Sequence, residues 1–433
     1  MNFSKFFTRI IKNQLVSGGA VLFLGGLASS AAGYVYHLLM GRMLGPVDYG
    51  VLASLFSLSS IFGIPTSGLG LVVTREISAL RGRKKIGEIS FFYSWILKKF
   101  MIFGFFLFLI LMLFSPFISN FLHLESTNLV LIVVVISAFG IFMSINNSVL
   151  QGFLRFKLMS VLGVLVAGLK LVIAVFLVFL GLKVTGAISA LLISLVIGLL
   201  VIFPFVKKLL PKEPKKFKVN GKKLLKYTIP VFLSTLAFTS IYTIDVVLAR
   251  HFLSGWEAGF YASLSTLGKI IFFASGPISM AMFPMVAARH ANGENYINLL
   301  ALSFAIVALI CLGTSTIYFL APSLMFSLLF GKLFLDASYA LGFFALFMSL
   351  YSLSYLLVSF SLSIKRTKVV VFPVIAAVLQ VGLIFLFHRS LIQIVGVSII
   401  SVGLLFVSLV FYSFFKDKRV AAQLVGQFAQ IRG

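Results

Sequence analysis

The chain has 433 residues, of which 61% are hydrophobic, 15% aromatic and only 11% charged. Soluble domains carry about 25% charged residues, and disordered chains are poor in apolar ones, so both classes are excluded. The formal net charge of +26, from 36 Lys and Arg against 10 Asp and Glu, then points either to a nucleic-acid partner or to basic loops beside a membrane.

Apolar runs long enough to cross a bilayer, about 20 residues each, recur along the chain. The first six fall at roughly 16–41, 49–74, 100–122, 127–152, 158–181 and 184–206. Six more fall at roughly 228–249, 258–287, 297–321, 337–363, 369–388 and 391–415. The expected fold is therefore an all-α polytopic membrane protein of about twelve spans. Alternating β-barrel strands do not fit runs this continuous. Before the first span, Phe3, Phe6, Phe7, Ile10 and Ile11 recur at helical spacing beside Lys5, Arg9 and Lys12, as in a short interfacial helix. This basic start followed by an apolar run also has the form of a signal peptide. The run continues past Ser29 and Ser30 to Met40, however, which favours a retained first span. The single cysteine, Cys311, excludes an intramolecular disulfide and reads as a packed thiol in the ninth span.

The basic residues are unevenly placed. Alternate connecting segments hold 29 of them on one side and five on the other, with Lys170 and Lys269 inside spans. The positive-inside rule then places both termini in the cytoplasm and accounts for the charge without nucleic acid. The most polar segment, 207–226, carries nine lysines with Pro211, Pro214 and Gly221. It reads as a basic cytoplasmic linker between an N-terminal lobe, 1–206, and a C-terminal lobe, 227–433, with membrane lipids within its reach.

The lobes resemble one another. The first span ends Tyr34-x2-His37-x4-Arg42, and the seventh ends Tyr242-x2-Asp245-x4-Arg250. Asp48 and Gly50 follow the first Arg, as Glu257 and Gly259 follow the second. Pro65 and Arg75 then correspond to Pro277 and Arg289. Six spans repeated in the same orientation describe a parallel repeat about an axis along the membrane normal. Pro65 and Pro277 also offer points at which the second and eighth spans can bend.

The segment Gly41-Arg-Met-Leu-Gly-Pro-Val-Asp-Tyr-Gly50, followed by Gly68-Leu-Gly-Leu and Thr74-Arg-Glu-Ile77, resembles the polysaccharide flippases of the Wzx type. These belong to the MOP superfamily of multidrug, oligosaccharidyl-lipid and polysaccharide exporters. Leu150-Gln-Gly-Phe-Leu-Arg-Phe-Lys157 and Ile364-Lys-Arg-Thr-Lys368 look similar to the same family. The resemblance covers essentially the whole chain. It implies a two-lobed fold similar to the MATE transporters and a cell-membrane flippase for a polyprenyl-diphosphate-linked oligosaccharide. Other membrane proteins of polysaccharide assembly are implied as partners.

Charges inside the spans are the candidate chemistry, because each costs roughly 2.5–3.5 kcal/mol at the bilayer centre and so faces a cavity or a partner. Lys170, Lys269, Arg42 and Arg250 are the candidate substrate-binding cations, suited to a diphosphate. Asp245 and His37, aligned in the repeat, are the candidate ion-coupling residues for H⁺ or Na⁺. No other cofactor or metal is expected. Asp245 lies about 12 Å and Lys269 about 16 Å from the outer surface at 1.5 Å per residue, depths at which they can meet as a structural ion pair. Arg42 and Arg250 can equally be interfacial anchors, and His37 a packed residue. Enzyme readings lack parts. There is no Walker loop, and His123, His251, His290 and His388 are scattered. The outer loops, longest at roughly 116–126, 250–257 and 322–336, are short for a glycan polymerase or ligase. A cation-coupled multidrug antiporter of the same superfamily is the alternative transporter.

Overall fold

A computed structural model describes residues 14–211, 215 and 221–416. The amphipathic stretch before residue 14 and three of the linker's nine lysines, Lys212, Lys216 and Lys218, lie outside these residues. Within them the chain is helical throughout, with no strand. The first continuous stretch, Gln14–Gly82, is broken at Gly45 (φ 74°, ψ 177°) into α1 (14–44) and α2 (46–82). Glycine supplies the positive φ, and Pro46 then starts α2 at the one helical position where a missing N–H costs nothing. Next come α3 (Ile86–Phe121), α4 (Asn128–Gly152), α5 (Phe156–Leu177) and α6 (Lys183–Leu209). A single wide turn joins α5 to α6 through Gly181, φ 88°.

The second half begins with α7 (Gly221–Ile241) and α8 (Ile244–Phe252), then α9 (Gly255–Ala291) and α10 (Ile297–Leu320). A short α11 (Pro322–Leu329) and a 3₁₀ segment, Lys332–Ala340, lead to α12 (Leu341–Ser363), α13 (Val371–Leu386) and α14 (Leu391–Lys416). Nine continuous stretches among the described residues are long and apolar enough to cross a membrane, and the bent pair α7–α8 makes ten. Dividing the two stretches that break at Gly45 and Gly181 resolves twelve membrane-length segments.

Three expectations change. The seventh span is not continuous: it bends by 40° between Ile241 and Ile244, ahead of Asp245. β-Branched residues crowd this stretch (Thr239, Ile241, Thr243, Ile244) and weaken helix continuity. The loops after Arg42 and Arg250 nearly vanish. Asp48 lies in the first turns of α2, while Glu257 closes a capping box with Ser254 at the start of α9. The 322–336 loop is largely helical.

The chain forms two compact units. One comprises Met1–Leu44 and Val51–Phe232, the other Gly45–Gly50 and Leu233–Gly433. Within the first, α3 packs on α4, α4 on α6, and α5 on α6. Within the second, α10 packs on α12, α12 on α14, and α13 on α14. Counted as spans, these are the same pairings six apart, so the internal repeat extends from motif to packing. Burial of apolar surface does not drive association in lipid, so close packing and polar links carry it. In the first unit Ser148 donates to the Gly70 carbonyl at 2.9 Å and Tyr93 to Asn146 Oδ1 at 3.1 Å. Such bonds contribute about 0.6 kcal/mol each in membranes.

The six-residue segment 45–50 belongs to the second unit. The Tyr49 hydroxyl is 2.7 Å from Thr266 Oγ1, and its ring packs edge-on against Phe330 and Phe334. Gly259 lets α9 pass against this segment, for a Cβ there would fall 2.0 Å from the Pro46 carbonyl oxygen.

Candidate functional site

The intramembrane charges gather in two places, one in each unit. In the first, Lys170 on α5 reaches over the Tyr36 ring at 4.5 Å and the Phe56 ring at 5.6 Å. His37 meets the same Phe56 ring at 5.0 Å, so Lys170 and His37 share an aromatic wall. Tyr36 is held by its hydroxyl, which donates to the Ala187 carbonyl on α6 at 3.0 Å. No carboxylate among the described residues pairs with Lys170. Its charge is met by ring faces, an interaction worth about 2 kcal/mol when desolvated. Arg42 lies near the end of the same helix as His37 and is exposed.

In the second unit the bend before α8 puts Asp245 in that helix's first turn, where the helix dipole favours an anion. Asp245 is fully buried. Its Oδ1 accepts from the Val246 N–H at 2.9 Å and its Oδ2 from the Tyr261 hydroxyl at 2.9 Å. The Ser398 hydroxyl on α14 donates to the Ile394 carbonyl of its own helix at 2.9 Å. Gln380 Nε2 on α13 donates to Ser398 Oγ at 2.9 Å. Two separate buried polar links thus join neighbouring helices: Asp245 with Tyr261 between α8 and α9, and Ser398 with Gln380 between α14 and α13. The Gln380 side-chain carbonyl is buried and accepts no hydrogen bond.

Lys269 stands 5.3 Å over the Tyr242 ring. Tyr242 packs on Phe272 and Tyr351, and Tyr355 stacks edge-on to Phe272, so Lys269 borders an aromatic cluster. Asp245 and Lys269 feel one another's charge. They do not close a direct ion pair: the carboxylate is committed to Tyr261 and Val246, and the ammonium to Tyr242. Arg250 is a third case. It is buried in the last turn of α8, where it feels the opposing charge of Asp48.

Sequence alone marks the charges but not their partners. Tyr261, Ser398 and Phe56 carry no spacing signal. Gln380 does, as the one glutamine in the apolar run of α13. Cys311 is buried, with Sγ 3.9 Å from the Ser349 carbonyl, as a packed thiol should be.

Residues 15–290 match a family described as polysaccharide biosynthesis protein. An uncharacterized membrane protein of Methanocaldococcus jannaschii is 22% identical over 292 residues, covering 63% of this chain and 68% of that protein. Among solved structures, the fold is similar to an inward-facing multidrug resistance MATE family transporter of the MOP superfamily. The TM-score is 0.75 at 16% identity over 90% of this chain and 94% of the other. It is also similar to a MOP superfamily transporter from Pyrococcus furiosus, described as having a binding pocket of reverse polarity that suggests a different function. There the TM-score is 0.61 at 19% identity over 93% and 96% of the two chains.

Proposed function

The chain belongs to the polysaccharide biosynthesis protein family, and we propose that it is a multi-pass membrane transporter of the MOP superfamily that flips a polyprenyl-diphosphate-linked oligosaccharide from the cytoplasmic to the outer leaflet. The observation that carries this reading is the pair of lysines set in apolar spans against aromatic rings, without a directly bonded carboxylate. Each is a cation kept at a desolvation cost, and an anionic diphosphate satisfies both cost and charge. Aromatic faces beside the lysines suit sugar rings and prenyl methyls. The two units would rock to give alternating access, while the prenyl tail stays in the bilayer. With the termini cytoplasmic, an inside-negative potential favours outward movement of the anion by about 2.3 kcal/mol per charge per 100 mV.

Asp245 is the residue we assign to ion coupling. Its carboxylate is fully buried, held by the Tyr261 hydroxyl and the Val246 N–H and without a directly bonded cation among the described residues, a setting suited to take up H⁺ or Na⁺. His37 is the corresponding residue of the first unit. Arg250, beside Asp48, reads better as a brace for the 45–50 segment than as a cargo contact.

Multidrug antiport is the competing transport reading, favoured by the buried acid. It conflicts with Lys170 and Lys269, which repel a cationic drug. Binding to the purified chain separates the two. A polyprenyl diphosphate should raise the thermal midpoint, by about 2.7 kcal/mol of stabilisation at 100 times Kd. A lipophilic cation should not. The opposite result would favour drug transport.

A further inference from the structure

The motif Leu150–Lys157 is left unused by this transport scheme, yet it builds a pocket. Leu154, Arg155 and Lys157, at the turn between α4 and α5, line an open cavity of ≈ 690 Å³ together with Val161 on α5 and Phe205 and Lys208 on α6. The turn is a six-to-one helix stop, with the Arg155 N–H bonded to the Leu150 carbonyl at 2.8 Å. Its left-handed position, usually glycine, is occupied by Leu154 at φ 58°. Of the five non-glycine residues with positive φ among those described, Leu154 is the apolar one, and its side chain is exposed on the pocket wall.

Three cations thus converge on one pocket, and no carboxylate among the described residues pairs with Arg155, Lys157 or Lys208. The remaining wall is apolar. Beyond it, exposed Val164 and Leu165 continue down α5, one turn along from Val161 on the same face. Cations at the mouth and an uncovered apolar track below match one kind of molecule: a phosphate on an acyl-chain stem. The pocket lies at the basic ends of these helices, where spans leave the bilayer, and basic pockets between spans on that side hold anionic headgroups. Arg155 brings the planar fork that grips phosphate oxygens in pairs.

We propose that this pocket is a resident site for an anionic phospholipid such as phosphatidylglycerol, with its headgroup phosphate on Arg155, Lys157 and Lys208 and its acyl chains over Phe205 and along α5. The site lies within one unit and is separate from the Lys170 cluster. It does not depend on the identity of the transported cargo.

Native mass spectrometry of the full chain in mild detergent tests this, with phosphatidylglycerol, phosphatidylcholine, inorganic phosphate and a polyprenyl diphosphate as separate probes. The native chain should retain one phosphatidylglycerol and release phosphatidylcholine, and inorganic phosphate should not compete at equal concentration. Exchanging all three cations (Arg155→Gln, Lys157→Gln, Lys208→Gln) should weaken phosphatidylglycerol retention about a hundredfold, at about fivefold per charge. Val161→Trp, which fills the pocket and leaves every charge in place, should also expel the lipid, whereas Lys208→Arg should keep it. If the triple variant does not fold, Val161→Trp decides the matter. Undiminished retention in the triple variant or in Val161→Trp overturns the proposal. So does equal retention of phosphatidylcholine, full competition by inorganic phosphate, or selective retention of the polyprenyl diphosphate there. A chain that keeps phosphatidylglycerol but fails to bind cargo would contradict the transport reading alone.

Discussion

Asp245 and Lys269 share a unit but not a bond, and this separates two roles that their depths alone leave open. A structural ion pair survives reversal; two differently built sites do not. A lysine at 245 cannot accept from Tyr261 or the Val246 N–H, and an aspartate at 269 would face the negative π-face of Tyr242. Asp245→Lys combined with Lys269→Asp is therefore expected not to restore glycan export lost in either single change, measured at equal protein abundance. Substantial rescue would mean the pair is structural. Lys269→Ala and Lys170→Ala should each lower export about tenfold or more, the scale of one hydrogen bond to a charged group. Lys269→Arg should retain part of it. These charges were legible because they interrupt apolar runs. Their partners were not, because Tyr36, Phe56 and Tyr261 meet them only through the packing of separate spans.

At the level of elements, the sequence carries the helices well and their breaks unevenly. Gly45-Pro46 announces the end of α1, but the 40° bend before α8 has no proline or glycine and only β-branched crowding to signal it. The 41–50 motif likewise reads as an outer loop, whereas its second part is packed against α9, with Gly50 and Gly259 back to back. The repeat marks both glycines, yet only coordinates show the reason for them. Gly259→Ala should overpack this crossing, at a cost of about 1–3 kcal/mol or more, and lower the thermal midpoint in detergent. Gly313→Ala on α10, where an added Cβ meets nothing within 4 Å, should leave the midpoint unchanged or slightly raised. Equal effects of the two would show that the crossing is not tight.

Across the whole molecule, two levels of repetition coincide: a motif that recurs in sequence and a helix-pairing scheme that recurs six spans later. Orientation adds the third constraint. With 29 basic residues on one side and five on the other, a reporter inserted after Lys218 should be cytoplasmic, and one inserted between residues 122 and 126 should be external. Reversal at either site contradicts the twelve-span reading. The division of labour we propose within this frame follows charge: lysines against rings for the anion, Asp245 for the ion, and the apolar perimeter for lipid. The decisive measurement is translocation by the purified chain in proteoliposomes. A fluorescent polyprenyl-diphosphate oligosaccharide is placed in both leaflets, and a membrane-impermeant quencher reports exchange. The intact protein should carry the lipid across, faster under an imposed potential, while Lys170→Ala with Lys269→Ala should reduce the rate to that of protein-free vesicles. Unchanged transport by the double variant, or none by the intact chain under either a potential or an ion gradient, would contradict this account.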